Sequence, residues 1–169
     1  MRTIILILIL ITSEKIYCQT NCDFKIDSSK ILHNQNIQIF IDSLSGKNLV
    51  TKYNFSTIPE VVKKAMNCWN KEFSIANPGQ PYQATDAMHK GQRLPWRQLI
   101  YLGIGEHYLI MTYKHGGFVT LYQILLFKFN QDKVIDFWGG RGGNFKNKKE
   151  VLTYLKSIKN KVNKEQIVL

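Results

Sequence analysis

Two histidines flank one predicted strand, and imidazole is the side chain best suited to proton transfer near neutral pH. His107 and His115 are eight residues apart in a segment of alternating apolar residues, so both side chains face the same side of a strand. At about 3.4 Å per residue the rings lie about 27 Å apart and cannot hold one metal ion. Each can instead act alone as a general base, with Glu106 or Asp136 orienting it. The alternative is that both histidines are half-exposed at strand ends and have no chemical role.

A second candidate site is the glycine-rich segment Trp-Gly-Gly-Arg-Gly-Gly at residues 138–143. Arg141 lies between two glycine pairs, where its guanidinium and the bare backbone N–H groups can receive a carboxylate or a phosphate. We expect Trp138 to stack alongside. The glycine spacing does not match a dinucleotide-binding motif, and no parallel βαβ unit surrounds it. A flexible turn between a strand and a helix is the alternative interpretation.

Arg93, Trp96 and Arg97 form a cluster of aromatic and basic side chains at the start of the predicted sheet. The cluster follows and partly overlaps residues 74–95, which contain prolines and glycines and have no hydrophobic period. Irregular segments of this length in compact domains are often functional. A tryptophan beside arginines is typical of protein-binding hot spots, and such clusters also bind single-stranded nucleic acid. We therefore predict a binding surface here.

The first eighteen residues have the layout of a secretory signal peptide. Arg2 supplies a positive charge, Ile4–Ile11 is an unbroken aliphatic run, and a more polar stretch ends at Cys18. The run is short, since a spanning helix takes about 20 residues. We therefore expect residues 1–18 to be removed and residues 19–169 to form one exported domain, periplasmic or secreted. The alternatives are lipid attachment at Cys18, an earlier cleavage point, an uncut anchor and a buried N-terminal element.

Two cysteines remain after removal of this leader, Cys22 and Cys68. An even pair in an oxidising compartment predicts one disulfide bond. It closes a loop of 47 residues, counted inclusively. The alternative is a nucleophilic Cys68, but the adjacent sequence offers no His or Arg to lower the pKa of its thiol. The disulfide is therefore the favoured interpretation.

The chain is strongly basic, with 23 Lys and Arg against 12 Asp and Glu, a formal net charge of +11. Without Arg2, Lys15 and Glu14 of the leader these counts become 21 and 11, so the mature domain carries +10. This excess favours an acidic protein or an anionic component of the cell envelope as partner. Export disfavours nucleic acid, and no transmembrane segment is expected in the mature domain. Charge that serves solubility alone is the alternative.

Three segments have the periodicity of amphipathic helices. Apolar residues recur at i, i+3, i+4 and i+7 over residues 37–44, although alternation there also fits a strand. Thr57 and Glu60 form a capping box before a second apolar stripe, in which Trp69 is expected to lie in the core. A third stripe covers residues 147–162. The sequence thus predicts two helices before the sheet and one after it.

From residue 97 to residue 138 the apolar residues alternate, which indicates a sheet. The predicted strands cover residues 97–104, 107–114, 118–129 and 134–138. Their short connections require antiparallel neighbours, so they form a four-stranded meander. Together with the helices, this predicts an α+β fold. The order of elements resembles cystatin-like and nuclear-transport-factor-2-like folds, although no motif supports either, and a fold alone implies no function.

No familiar catalytic motif occurs: the sequence has no phosphate-binding P-loop, HExxH, GxSxG or paired CxxC. We predict no cofactor and no metal, and the sequence favours a protein that is not an enzyme. The leading hypothesis is a non-catalytic binding module, of the inhibitor or immunity type, for an acidic partner. One alternative is a small hydrolase or lyase that uses His107 or His115. Another is a small-ligand carrier with an apolar cavity between sheet and helices.

Overall fold

An antiparallel sheet with helices packed against it gives the protein an α+β fold, as predicted. This computed structural model describes residues 22–71, 73–85 and 93–162. The predicted leader, including Cys18, and the loop residues 86–92 lie outside the described residues. The strands are β1 (Val50–Lys52), β2 (Arg97–Ile104), β3 (Tyr108–His115), β4 (Leu121–Phe129) and β5 (Val134–Arg141). The helices are α1 (Ser28–Leu32), α2 (Ile37–Ser45), α3 (Glu60–Trp69) and α4 (Lys148–Ile158), and a 3-10 turn covers Phe55–Thr57.

Each strand pairs with the next along the chain, so the sheet is a meander in the order β1-β2-β3-β4-β5. The four predicted strands are present as β2 to β5, and the additional strand β1 pairs with residues 102–104 of β2. All three residues of β1 are exposed, so it lacks the alternation that marks a strand in sequence. β5 also continues through Gly139 and Gly140, where the sequence predicted that the sheet ends. It continues because Leu125 and Ile124 of β4 pair opposite these glycines.

The three predicted helices correspond to α2, α3 and α4, and α1 is an additional short helix. The predicted capping box is wrong. The side chain of Asn54 accepts a hydrogen bond from the Ser56 amide at 2.9 Å and starts a 3-10 turn that already contains Thr57. The Thr57 hydroxyl donates to the Asn54 carbonyl, and α3 begins after Pro59 without a side-chain cap.

One face of the sheet packs against the helical layer that contains α1, α2 and α4. Trp138 is fully buried on this face, and its indole N–H donates to the side-chain oxygen of Asn34, between α1 and α2, at 3.0 Å. The side-chain amide of Asn36 donates to the carbonyl of Phe137 at 2.9 Å. Lys30 of α1 forms a 2.9 Å ion pair with Asp136 of β5. These contacts fix the N-terminal helices on the last strand.

The opposite face of the sheet packs against α3. The Trp69 ring stacks on Phe127 of β4, with centroids 6.0 Å apart, and contacts Phe137 of β5 at 4.8 Å. Its indole N–H donates to the carbonyl of Phe24 at 3.0 Å. Trp69 is therefore a partly buried residue that packs against the core.

A disulfide joins Cys22 to Cys68, as predicted, with their Cα atoms 5.8 Å apart. It ties the beginning of the described chain to the last turn of α3. Cys68 is thus a structural residue, and the alternative of a nucleophilic thiol is wrong. A disulfide also fits an oxidising, exported environment.

Candidate functional site

The sheet-end surface is the name we give to Lys71, Arg93, Trp96, Arg97 and His115. These residues lie at the end of the sheet where β2 begins and β3 ends, because Arg97 pairs with His115 in the antiparallel register. The register thus brings residues that are far apart in sequence to one place.

The glycine-rich segment reaches the same end of the sheet. Gln123 pairs with Arg141 across β4 and β5, and with Tyr113 across β4 and β3. The two predicted candidate segments therefore meet at one end of the molecule, although Arg141 does not line the cavity described next.

A cavity of about 610 Å³ opens in the sheet-end surface. Its lining residues, which together we call the basic cavity, are Asn70, Lys71, Phe73, Ser74, Arg93, Leu94, Pro95, Trp96, Arg97 and His115. Three of them are basic, Lys71, Arg93 and Arg97. None of the described residues that line it is Asp or Glu. These three cations favour an anion as the occupant of the cavity.

Arg97 is the buried member of this set, with 6% of its surface exposed. Its guanidinium carbon lies 4.6 Å from the centroid of the Phe73 ring, a cation–π contact. The guanidinium also shares a hydrogen bond with the Tyr113 hydroxyl. Burial raises the pKa of Tyr113 to about 12, so this hydroxyl stays neutral at physiological pH. The Nε atom of Arg97 is buried and has no hydrogen-bond partner within the described part of the chain.

Trp96 and His115 form one wall of the basic cavity. Their rings stack with centroids 6.3 Å apart and planes 10° from parallel, and Trp96 is 40% exposed. The Nδ1 atom of His115 lies 2.6 Å from the carbonyl of Gly116, to which it can donate. Burial lowers the pKa of His115 and outweighs the hydrogen bond to the Gly116 carbonyl, which raises it; the positive charge of Arg97 adds to the lowering. A neutral, stacked imidazole is thus favoured here.

Backbone hydrogen bonds attach the described part of the preceding loop to the sheet end. The amide of Gly116 donates to the carbonyl of Trp96 at 2.8 Å. The amide of Gln83 donates to the carbonyl of Pro95, also at 2.8 Å. A Cβ atom at Gly116 would lie 1.9 Å from the Gln83 carbonyl oxygen, so only glycine permits this approach. These contacts therefore fix the position of the loop against the end of the sheet.

The turn between β3 and β4 carries two exposed apolar residues beside this surface. Phe118 is 99% exposed and Val119 is 69% exposed. The amide of Gly117 donates to the carbonyl of Ala84 at 3.2 Å, which attaches the turn to the loop. The sequence placed Phe118 inside a strand, because its apolar run continues into β4. The preceding glycine pair was the only signal that the turn extends further.

The four residues proposed for catalysis are not brought together. His107 lies at the other end of β3 from His115, is 52% exposed, and has Nε2 3.4 Å from an oxygen of Glu106. Asp136 instead pairs with Lys30 and accepts a hydrogen bond from Asn36. Asp136 is thus engaged with the helices rather than with an imidazole.

The predicted partnership of Trp138 with Arg141 does not occur. Trp138 is fully buried against the helices, and Arg141, three residues later in β5, faces the other side of the sheet. Trp138 therefore belongs to the core, whereas Arg93, Trp96 and Arg97, which the sequence groups as one cluster, all line the basic cavity.

Within residues 22–71, 73–85 and 93–162, no cluster of three or more His, Cys, Asp or Glu side chains is arranged to hold a metal ion. The helices described there are too short or too polar to cross a membrane. Comparison with known proteins found no matching family model, no matching curated protein and no matching solved structure. The site and its chemistry therefore carry the functional argument.

Proposed function

We propose that this protein is an exported, non-catalytic binding module that engages an acidic protein partner through the sheet-end surface. The observation that carries this proposal is the basic cavity, where Lys71, Arg93 and Arg97 line one opening beside the exposed ring of Trp96. Tryptophan and arginine are the side chains that most often dominate binding energy at protein interfaces. An inhibitor or an immunity-type protein fits this arrangement.

Long-range charge and local contacts act together in this proposal. The mature domain carries +10, which accelerates encounter with a negatively charged surface and disfavours basic partners. Phe118 and Val119 then supply apolar contact area next to the cavity. Export is part of the same proposal: the disulfide fits an oxidising compartment, and the predicted leader at residues 1–18 supplies the route.

The test is capture of envelope and secreted proteins by the immobilised mature domain, with the disulfide intact, at increasing salt. A triple variant, Lys71→Gln with Arg93→Gln and Arg97→Gln, removes the three cations of the basic cavity. We expect the acidic partner to bind the wild type at low salt, to weaken as salt rises, and to bind the variant at least about tenfold less tightly, a loss of about 1.4 kcal/mol.

A second triple variant is matched in charge: Lys25→Gln with Lys149→Gln and Lys156→Gln changes three exposed lysines that do not line the cavity. We expect it to retain most of the affinity. Equal losses in the two variants would show that net charge alone acts. Binding that persists unchanged to high salt would contradict an electrostatic partner altogether.

A hydrolase or lyase that uses a strand histidine has one supporting observation. His107 and Glu106 line a second cavity, of about 460 Å³, at the opposite end of the sheet. Both side chains are largely exposed, and Arg141 lies at the other end of β5. The carrier alternative is less favoured, because aromatic rings of α3 and the sheet fill the space between them. The binding module is therefore the better supported function.

A further inference from the structure

We infer that the basic cavity is a receptor for a single carboxylate group, which an Asp or Glu side chain of the partner inserts against Arg97. The inference rests on the proposed function and deepens it, because it names the chemical group that is recognised and the residue that receives it.

Arg97 carries a buried positive charge. Ionised side chains are almost never buried unless they are paired, because removing a charge from water is costly. Arg97 is 6% exposed, and its side-chain contacts with described residues include the Phe73 ring and the Tyr113 hydroxyl. Neither is an anion. Among the residues that the structure describes, no carboxylate pairs with this guanidinium, and an incoming carboxylate would be an anionic partner for it.

The geometry of the Arg97 guanidinium suits a carboxylate. The Nε–H of Arg97 is buried without a hydrogen-bond partner among the described residues, while the side chain lines the open cavity. An Nε–H and a neighbouring Nη–H form a planar fork that matches the two oxygens of a carboxylate. The Phe73 ring limits rotation of the guanidinium, so little conformational freedom is lost on binding.

The cavity gives an acidic side chain access to Arg97. The cavity of about 610 Å³ is wide enough for an acidic side chain, and Lys71 and Arg93 line it together with Arg97. The stacked rings of Trp96 and His115 offer an apolar wall to the methylene groups of that side chain. Cations draw the carboxylate in, and the wall excludes water from its contact with Arg97, where the interaction is stronger than in bulk solvent.

The test is a titration of the mature, oxidised protein with N-acetyl-glutamate N-methylamide, followed by NMR of the Arg97 Nε–H and Trp96 indole N–H signals. N-acetyl-glutamine N-methylamide is the neutral probe of the same shape. We expect saturable shifts of both signals with the acid, with a Kd of about 1 mM because a single anchor is engaged. The amide should bind at least about tenfold less tightly.

Three variants assign the effect to Arg97. Arg97→Gln should abolish saturable binding, and Arg97→Lys, which keeps the charge but lacks the planar fork, should weaken it several-fold. Because Arg97→Lys preserves the buried charge, it keeps the test usable if Arg97→Gln fails to fold. Lys156→Gln, on the exposed side of α4, removes the same charge elsewhere and should bind like the wild type.

The inference is overturned if the acid and the amide bind equally, or if shifts occur at Trp96 while the Arg97 Nε–H stays unmoved. Binding of inorganic phosphate but not of the acidic probe would identify a phosphate site instead. Micromolar binding of free succinate without binding of the capped residue would identify a small acid as the ligand. Any of these results, with capture of an acidic partner preserved, overturns the carboxylate receptor alone. Loss of capture with probe binding preserved overturns the proposed function alone.

Discussion

Gln123 has an unusual environment for a polar side chain. It is fully buried on β4, between Tyr113 and Arg141, and both polar atoms of its amide lack hydrogen-bond partners in the described part of the chain. A buried amide left unsatisfied costs about 1–3 kcal/mol. Alternation in the sequence places residue 123 on the same face as Leu125 and Phe127, but it gives no sign that its amide is unsatisfied.

Gln123→Met should therefore stabilise the protein by about 1 kcal/mol, because an apolar side chain of similar volume replaces an unsatisfied amide. Urea unfolding of the oxidised protein measures the change. Gln98→Met is the matched control, since the Gln98 amide donates to the Gln80 carbonyl and should not be improved by the substitution. A destabilised Gln123→Met protein would show that the amide is satisfied in solution.

His115 gives the protein a pH dependence of predictable sign. Burial lowers the pKa of His115 below its ordinary value of 6.5, so the unfolded state takes up a proton before the folded state does. Stability should then fall as the pH drops below about 6.5, and the penalty should be absent above it. Between pH 7 and pH 5, the melting temperature of the His115→Asn variant should decrease less than that of the wild type. An equal or steeper decrease in the variant would contradict the lowered pKa of His115.

The approach of the loop to the β3–β4 turn depends on Gly116. Gly116→Ala places a methyl group against the Gln83 carbonyl, so the loop must move away from the sheet end. We expect a loss of about 1–3 kcal/mol in unfolding free energy, as for other overpacked sites, together with weaker binding of the acidic probe. Gly46→Ala, with open space around the new methyl group, is the control and should change neither measurement substantially.

Helices and strands are predictable from the sequence where their apolar residues recur at a regular spacing. α2, α3, α4 and the strands β2 to β5 follow from apolar spacing, and the disulfide follows from an even cysteine count. Strand β1 does not, because its three residues are exposed and are held by pairing with β2. The cavity was only partly predictable: Arg93, Trp96 and Arg97 are close in sequence, but Lys71 and His115 join them through the fold.

At the scale of the molecule, the disulfide constrains the connection between the N-terminal segment and α3. Replacing Cys22 and Cys68 by alanine should lower the unfolding free energy by up to about 4 kcal/mol, since the bond closes a long loop in the unfolded chain. Thermal unfolding with and without a reducing agent measures this in the wild type. If neither the alanine substitutions nor the reducing agent changes the unfolding, the disulfide contributes little to stability.

The protein is a basic domain with aromatic and cationic side chains clustered at one end of its sheet, and this sheet-end surface is the one we propose for binding. The most direct test places a photo-crosslinking phenylalanine analogue at Phe118, beside the basic cavity, or at Ile39, which is 54% exposed on α2. We predict that an acidic protein is crosslinked from position 118 in the exported protein and not from position 39. Equal crosslinking from both positions, or crosslinking from position 39 alone, would contradict the assignment of the binding surface.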